Sequence, residues 1–197
     1  TIDSPMTADD YPAVVGLYAT GNPRPRIATV NFSPLGGQAQ LSTRIRLNSA
    51  QDVVAVAEMK NGDFFTGRQR VTVAFGACNT AGESDKLPPG WQPQTKIAVP
   101  PATQGQIVTI RTVITHPMET GLRLDAHNAY LPLWIIHRFI CRLDGAEVIN
   151  VKLEPAIATN PYLAFPIKAD RSGVLEFEWQ DSTGPVYTRT APLTVTS

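Results

Sequence analysis

Residues 174–180 read Val-Leu-Glu-Phe-Glu-Trp-Gln, and this stretch decides the fold class. Its apolar side chains occupy every second position from Leu175 to Trp179, with glutamates between them. A period of two residues is that of a β-strand with one face on a core and the other in water. The same alternation recurs at Val71 and Val73, so we predict half-buried antiparallel strands in both parts of the chain.

Short runs of this kind recur along the whole chain, and no amphipathic period of helix length is found. The 17 prolines and 14 glycines interrupt the sequence every few residues, as turns do. Asn61-Gly62-Asp63 and Asp144-Gly145 are tight-hairpin signals. Many short strands with regular turns predict an all-β protein made of β-sandwiches. The predicted strands are residues 13–19, 27–32, 38–47, 52–60, 69–75, 107–115, 135–143, 146–153, 163–169, 174–180 and 187–196.

Composition excludes several classes of partner. Hydrophobic residues make up 43% of the chain, which is enough for packed cores, and 17 basic residues balance 17 acidic ones. Without a net field, binding to nucleic acid or to an anionic membrane is not expected. No apolar run approaches the roughly 20 residues of a membrane span. The chain begins at Thr1 without an apolar leader, so we expect a removed signal peptide or another trimmed start.

The strand pattern breaks between Phe75 and Val99, where residues 76–90 are small, polar and rich in proline and glycine. This composition is typical of a flexible linker. We therefore predict a first β-sandwich at residues 1–77, a linker at 78–95 and a second β-sandwich at 96–197. The first domain has five or six predicted strands where a sandwich usually has about seven. It should lack its opening strands, and its sheet edge should be covered by the second half or by another chain.

The two cysteines stand in opposite settings. Cys141 shares the strand parity of Phe139 and Leu143, so we expect it in the core as a small hydrophobic residue. Cys78 follows the last strand of the first half. A single disulfide between the two remains open from the sequence.

Cys78 is the candidate functional residue. Its neighbours are small or polar, which favours an exposed thiol: Gly76, Ala77, Asn79 and Thr80. A thiolate attacks sulfur electrophiles and can hold sulfur as a covalent adduct. An incidental linker cysteine, or half of a disulfide, is the alternative.

Several motifs give the chain a family resemblance. Residues 116–121 (His-Pro-Met-Glu-Thr-Gly), 138–141 (Arg-Phe-Ile-Cys) and 155–165 (Pro-Ala-Ile-Ala-Thr-Asn-Pro-Tyr-Leu-Ala-Phe) resemble SoxZ. The first half resembles the later part of SoxY, through residues 4–11, 21–25, 42–47 and 53–59. The chain is thus similar to a fused SoxYZ sulfur carrier.

The resemblance implies two immunoglobulin-like β-sandwich domains and a periplasmic carrier in sulfur oxidation. The SoxY arm, Gly-Gly-Cys-Gly-Gly in the family, matches residues 76–80, so Cys78 would bear thiosulfate-derived intermediates. SoxAX, SoxB and SoxCD-like enzymes would load and process this cargo. The carrier itself would be no enzyme and would need no cofactor or metal.

The arm departs from the family pattern. It reads Gly76-Ala77-Cys78-Asn79-Thr80 and is internal to the chain, whereas SoxY ends in it. Fused SoxYZ-like proteins include a variant group associated with quinoprotein dehydrogenases, to which this chain could belong. The alternative function is therefore a non-covalent module that docks such a dehydrogenase. Homo-oligomerisation is also possible.

Other chemistry has weaker signals. The three histidines lack the close spacing of metal ligands, so we expect no metal site. Glu119 and Asp125 could pass for a carboxylate pair, although nothing distinguishes either. Residues 155–166 are expected to form a packed loop or a contact between the halves. For Trp91 and Trp134, core packing is the default and an interface the alternative.

Overall fold

A computed structural model of the chain describes residues 1–4, 6–73 and 84–197, with only the backbone described at Lys86. The regular structure of the described residues consists of strands and two short 3-10 segments, Pro34–Gly36 and Ser84–Lys86. The strands are β1 (Pro12–Ala19), β2 (Arg26–Phe32), β3 (Ser42–Thr43), β4 (Gln51–Met59), β5 (Phe64–Val71), β6 (Thr95–Ala98), β7 (Ala102–Thr103), β8 (Gln106–Ile114), β9 (Ile136–Leu143), β10 (Ala146–Leu153), β11 (Tyr162–Ala169), β12 (Gly173–Asp181), β13 (Val186–Leu193) and β14 (Val195–Thr196).

The strands form two main sheets. The larger has eight strands in the order β13-β12-β9-β10-β2-β1-β4-β5, and the smaller has the order β3-β11-β8-β6. In the second half, four strands of the large sheet and three of the small one give the strand count of an immunoglobulin constant-type sandwich. β7 and β14 form a short parallel pair. The predicted all-β sandwich fold is confirmed.

The core is one cluster with residues from both halves, and its largest side chains lie in the second half. Leu175 and Trp179 are completely buried, as the alternation at residues 174–180 predicts. Trp179 packs against Phe139 with ring centroids 5.4 Å apart, and Phe139 packs against Phe165 of β11 at 5.7 Å. Aromatic pairs at such distances add to the free energy gained from burial.

The two halves share one sheet because β2 pairs with β10. Five residue pairs run from Phe32 with Ile149 to Ala28 with Leu153. In return, β3 of the first half joins β11 in the small sheet. The sequence left open whether the second half or another chain covers an edge of the first, and in the structure β10 of the second half pairs with β2. The three-part division of the chain stays a prediction, since strand pairing crosses between the halves.

Two predicted segments differ from the structure, and two short strands were not predicted. Residues 38–47 form a strand only at β3, because this segment crosses from the large sheet to the small one and makes isolated bridges at Ala39 and Ile45 on the way. β5 begins at Phe64, directly after the Asn61-Gly62-Asp63 turn, and not at residue 69. The short strands β6 and β7 were not predicted, because each is too brief to show alternation.

The two tight hairpins are confirmed. Asp144 and Gly145 both have positive φ, 47° and 82°, and connect β9 directly to β10. Two positive φ values are the signature of a type I′ turn, whose twist matches that of the strands. Among the residues that the structure describes, no helix is long and apolar enough to cross a membrane.

Candidate carrier site

Cys78 and its neighbours Gly76, Ala77, Asn79 and Thr80 lie outside the described residues, so their role stays a prediction. The structure does describe the chain on both sides of residues 74–83. These two flanks define where the described chain stops before the segment that contains Cys78 and where it resumes after it.

The first flank follows β5, whose last residue, Val71, pairs with Gln51 of β4. Gln51 is 3% exposed, and its side chain holds the turn after β1. Gly21 N–H donates to Gln51 Oε1 at 2.6 Å, and Gln51 Nε2 donates to Asn22 Oδ1 at 3.0 Å. The segment therefore leaves the sheet beside the Gly21-Asn22 turn.

The second flank is tied to the loop after β8. Ser84 Oγ donates to Glu119 Oε2 at 2.9 Å, and Arg123 Nη2 lies 2.6 Å from Asp85 Oδ1. Arg123 also donates to Glu119 Oε2 from Nη2, at 2.9 Å. The hydrogen bond that Arg123 donates to Asp85, opposed by desolvation, raises the pKa of Arg123 above its ordinary value. Glu119, which is 2% exposed, is thus a buried carboxylate with several donors.

The side chain of Arg46, in the first half, forms hydrogen bonds with residues of the second half. Its guanidinium donates to Met118 O at 2.7 Å and to Thr159 Oγ1 at 2.8 Å, with longer bonds of 3.4 Å to the Pro117 and Pro155 carbonyls. Burial lowers the pKa of Arg46, while the charge of Glu119 acts in the opposite direction. A planar guanidinium suits this site because its five N–H donors can reach several acceptors at once.

Backbone contacts reinforce this connection. Arg46 N–H donates to Ala156 O at 2.7 Å, and Ala158 N–H donates to Arg44 O at 2.9 Å. Residues 155–161 therefore form a packed loop that contacts the first half, as predicted, whereas residues 162–166 of the predicted loop belong to β11. A cavity of about 60 Å³ remains beside Arg46, between residues of both halves. It is partly open to solvent and has room for a few water molecules.

His116 organises the loop that carries Glu119. The imidazole is 1% exposed, Met118 N–H donates to its Nδ1 at 3.1 Å, and its Nε2 lies 3.1 Å from Asp181 Oδ2. Because Nδ1 accepts a hydrogen bond, the proton of the neutral ring is on Nε2 and points to Asp181. His116 is therefore a core histidine with both nitrogens occupied.

Asp181 and two tryptophans complete this cluster. Burial opposes ionisation of Asp181, but hydrogen bonds from His116, Thr183 and Trp134 prevail and lower its pKa to about 2. Trp134 Nε1 donates to Asp181 Oδ2 at 2.9 Å. Trp91 contacts the Trp134 ring edge-on, with centroids 5.9 Å apart, and fixes the chain that follows the second flank.

Cys141 is a free thiol and is completely buried, as its strand parity predicts. Burial raises the pKa of its thiol well above the ordinary value. A neutral, enclosed thiol is a poor nucleophile. Cys141 is therefore in no disulfide, and Cys78, its possible partner, lies outside the described residues.

The structure separates the suggested carboxylate pair. Glu119 is buried, whereas Asp125 lies in an exposed turn and accepts the N–H groups of His127 and Ala129. Within residues 1–4, 6–73 and 84–197, no group of three His, Cys, Asp or Glu side chains could hold a metal ion.

Sequence reasoning missed the contacts of Arg46, Glu119 and Arg123. Each sits in or next to a motif that carries the family resemblance, but each also has a partner that is distant in sequence. Four of those motifs converge around Arg46: residues 21–25, 42–47, 116–121 and 155–165. That convergence was the available signal.

Two family models match the chain. Residues 1–78 match "Sulfur oxidation protein SoxY", and residues 97–192 match "Sulphur oxidation protein SoxZ". The chain is a fused SoxYZ-like protein. The SoxY match ends at Cys78 itself, and the SoxZ match begins just inside β6.

Two solved structures are similar to the SoxYZ-like chain at low identity. A superoxide reductase (neelaredoxin) from Ignicoccus hospitalis is 18% identical with a TM-score of 0.39, and covers 52% of this chain and 79% of its own. The fibronectin(III)-like modules of Clostridium thermocellum CbhA are 13% identical with a TM-score of 0.35, and cover 100% and 82%. Neither similarity carries an argument at these scores. None of the curated proteins matches the chain significantly.

Proposed function

We propose that this SoxYZ-like chain is a periplasmic sulfur carrier that binds thiosulfate-derived intermediates covalently on Cys78. The families of both halves support a carrier role in sulfur oxidation. The observation that carries the assignment to Cys78 is the burial of the only other cysteine. Cys141 is enclosed in the core, so covalent sulfur chemistry falls to Cys78.

The geometry of the flanks supports a presenting role. Cys78 is five residues beyond Val73, and five extended residues span at most roughly 17 Å. Contacts fix the start of this segment at Gln51 and its end at Glu119. The described chain on either side of Cys78 is thus held by residues of both halves, and partner enzymes of the sulfur-oxidising type would approach the thiol there.

Tetrathionate tests the covalent step without a separate oxidant. The Cys78 thiolate attacks one of the two central sulfurs, the central S–S bond breaks, and thiosulfate leaves with the electron pair. The product carries an –S–SO₃⁻ group on the Sγ atom of Cys78. Intact mass should therefore rise by one S₂O₃ group. Cys78→Ser should show no gain, and Cys141→Ala is the matched control that should gain as the unmodified protein does.

The same experiment decides between covalent and non-covalent function. A mass gain that persists in Cys78→Ser, or a native Cys78 that stays unmodified, would contradict the carrier proposal. The second outcome would favour the non-covalent docking module, with a quinoprotein dehydrogenase as the candidate partner.

A further inference from the structure

β5 is a long strand at the edge of the large sheet. One side pairs with β4 over eight residues, and no described strand pairs with the other side. The remaining edges are better protected. β13 contains Pro192, which cannot donate to a ladder, while β3 and β6 are short. β5 thus presents a row of backbone donors and acceptors to solvent.

The side chains of β5 make this edge unusual. Phe64 is 66% exposed and Phe65 is 59% exposed, and as neighbours on a strand they point to opposite faces of the sheet. The first part of β5 is therefore apolar on both faces. Two adjacent exposed phenylalanines on an open edge are a feature that soluble proteins avoid unless the edge is used.

The second part of β5 is basic on one face. The Arg68 and Arg70 side chains are 72% and 63% exposed and share a single carboxylate, Asp52, at 2.6 and 3.6 Å. The two guanidinium groups therefore have one carboxylate between them. An incoming strand would pair most favourably with carboxylates opposite the two arginines.

This charge argues against a second copy of the chain as the occupant. Antiparallel pairing of two β5 strands about their centre sets the arginines of one copy opposite or diagonal to those of the other. Like charges in such positions destabilise a strand pair. The protein already uses edge pairing elsewhere, since β10 joins the halves by adding to β2.

We propose that β5 is a docking edge for an extended segment of a partner protein, with carboxylates opposite Arg68 and Arg70 and apolar residues opposite Phe64 and Phe65. The segment adds to the large sheet as a ninth, antiparallel strand. Because β5 leads directly into the segment that contains Cys78, a partner held there lies next to that segment. The binding itself does not depend on Cys78 chemistry.

A synthetic eight-residue peptide tests this proposal with the full chain. The probe has glutamates at its second and fourth positions, opposite Arg70 and Arg68, and valine or threonine elsewhere. Its counterpart has lysines at those two positions. Fluorescence anisotropy should show about tenfold tighter binding of the glutamate peptide, since two exposed ion pairs contribute about that factor. The double variant R68E/R70E should reverse the preference.

Controls separate strand addition from general attraction. R189E changes a charge on β13, at the opposite edge, and should keep the wild-type preference. Phe64→Ser with Phe65→Ser should weaken both peptides about tenfold without unfolding the protein, because both side chains are exposed. Methylating one alternating set of peptide amides should abolish binding and methylating the other set should not, because only one set faces β5.

Besides a failure of the peptide to bind, three results would overturn the inference. The first is an unchanged preference in R68E/R70E, and the second is binding that tolerates methylation of either set of amides. The third is a dimer in gel filtration that R68E/R70E dissociates, which would make a second copy the occupant. If Cys78 accepts sulfur while the peptide fails to bind, the docking edge is wrong and the carrier proposal stands.

Discussion

Arg46 lies where the first half meets the His116 loop and the Pro155 loop of the second half. Replacing it with alanine leaves the Met118 carbonyl and the Thr159 hydroxyl without their donor. Buried acceptors without donors are costly, so we expect Arg46→Ala to lower the free energy of unfolding by about 2–3 kcal/mol.

Urea unfolding of Arg46→Ala measures this loss, and Arg44→Ala is its matched control. Arg44 is exposed and lies over the Tyr162 ring, with its guanidinium carbon 5.2 Å from the centroid. Its removal should cost less than about 1 kcal/mol. Equal effects of the two variants would contradict the role given to Arg46.

Asp181 makes stability depend on pH. Its pKa is lowered from 3.8 to about 2 in the folded protein. The stabilisation is complete above pH 4 and is lost as pH falls through the folded pKa near 2, because only the folded state resists protonation. Asp181→Asn should remove this contribution. Between pH 5 and pH 2, the free energy of unfolding should therefore fall by roughly 2 kcal/mol more in the wild type than in the variant.

Urea titrations at pH 5 and at stepwise lower pH give this difference. In Asp181→Asn the amide oxygen can still accept the proton on His116 Nε2, so the fold should persist at neutral pH. Parallel pH profiles for the two proteins would show that Asp181 is not the responsible group.

At the scale of single residues, the alternation of side chains along a strand predicted which of them are buried. The burial of Cys141 follows from the alternation with Phe139 and Leu143. The partners of Arg46 and Glu119 could not be predicted, because Arg46 binds groups 71 to 113 residues away along the chain. Such pairs depend on how the sheets are arranged, and alternation within one strand does not report that arrangement.

The hairpin between β9 and β10 depends on backbone conformation alone at Gly145. Its φ is 82°, and a Cβ added there would meet nothing within 4 Å. Gly145→Ala should therefore cost about 1 kcal/mol through strain, without a clash.

Gly67→Ala is the matched control, because a Cβ at Gly67 in β5 also meets nothing within 4 Å and its φ is not positive. It should be neutral or slightly stabilising. Thermal unfolding of both variants tests the pair. A similar fall in Tm for Gly67→Ala would mean that loss of the glycine itself, and not the turn, is responsible.

At the scale of elements, long alternating strands and hairpins with Asp-Gly or Asn-Gly signals were predictable. β10 matches its predicted bounds, residues 146–153, and β12 extends its predicted run by one residue at each end. The crossing segment at residues 38–47 was misjudged, because its buried positions serve two different sheets. Local pattern does not distinguish a crossing chain from a strand.

The whole molecule is held together by more than its covalent connection. Five residue pairs join β2 to β10, and Arg46 adds bonds to two loops of the second half. We expect a protein carrying a protease site inserted after Gly82 to remain one particle after cleavage. Gel filtration should show both fragments eluting together, and Arg46→Ala should favour their separation.

Uncleaved protein of the same variant is the control for this experiment. Fragments that separate at once in the absence of denaturant would show that the covalent connection, rather than the shared sheet, holds the halves together. At this scale the sequence predicted a covered edge and left open whether the second half or another chain covers it. That β10 is the strand that covers this edge depends on how both halves pack, and local sequence does not report that packing.

The shared sheet also sets an order of events during synthesis. Asn31 and Asn150 lie on neighbouring strands although they are 119 residues apart in the chain. β2 therefore emerges long before the strand that completes it, and its bare edge must wait while most of the polypeptide is still being made. Contacts so distant in sequence form slowly. We conclude that the nascent first half is the stage at which this protein is most exposed to aggregation, and at which a chaperone would protect it most.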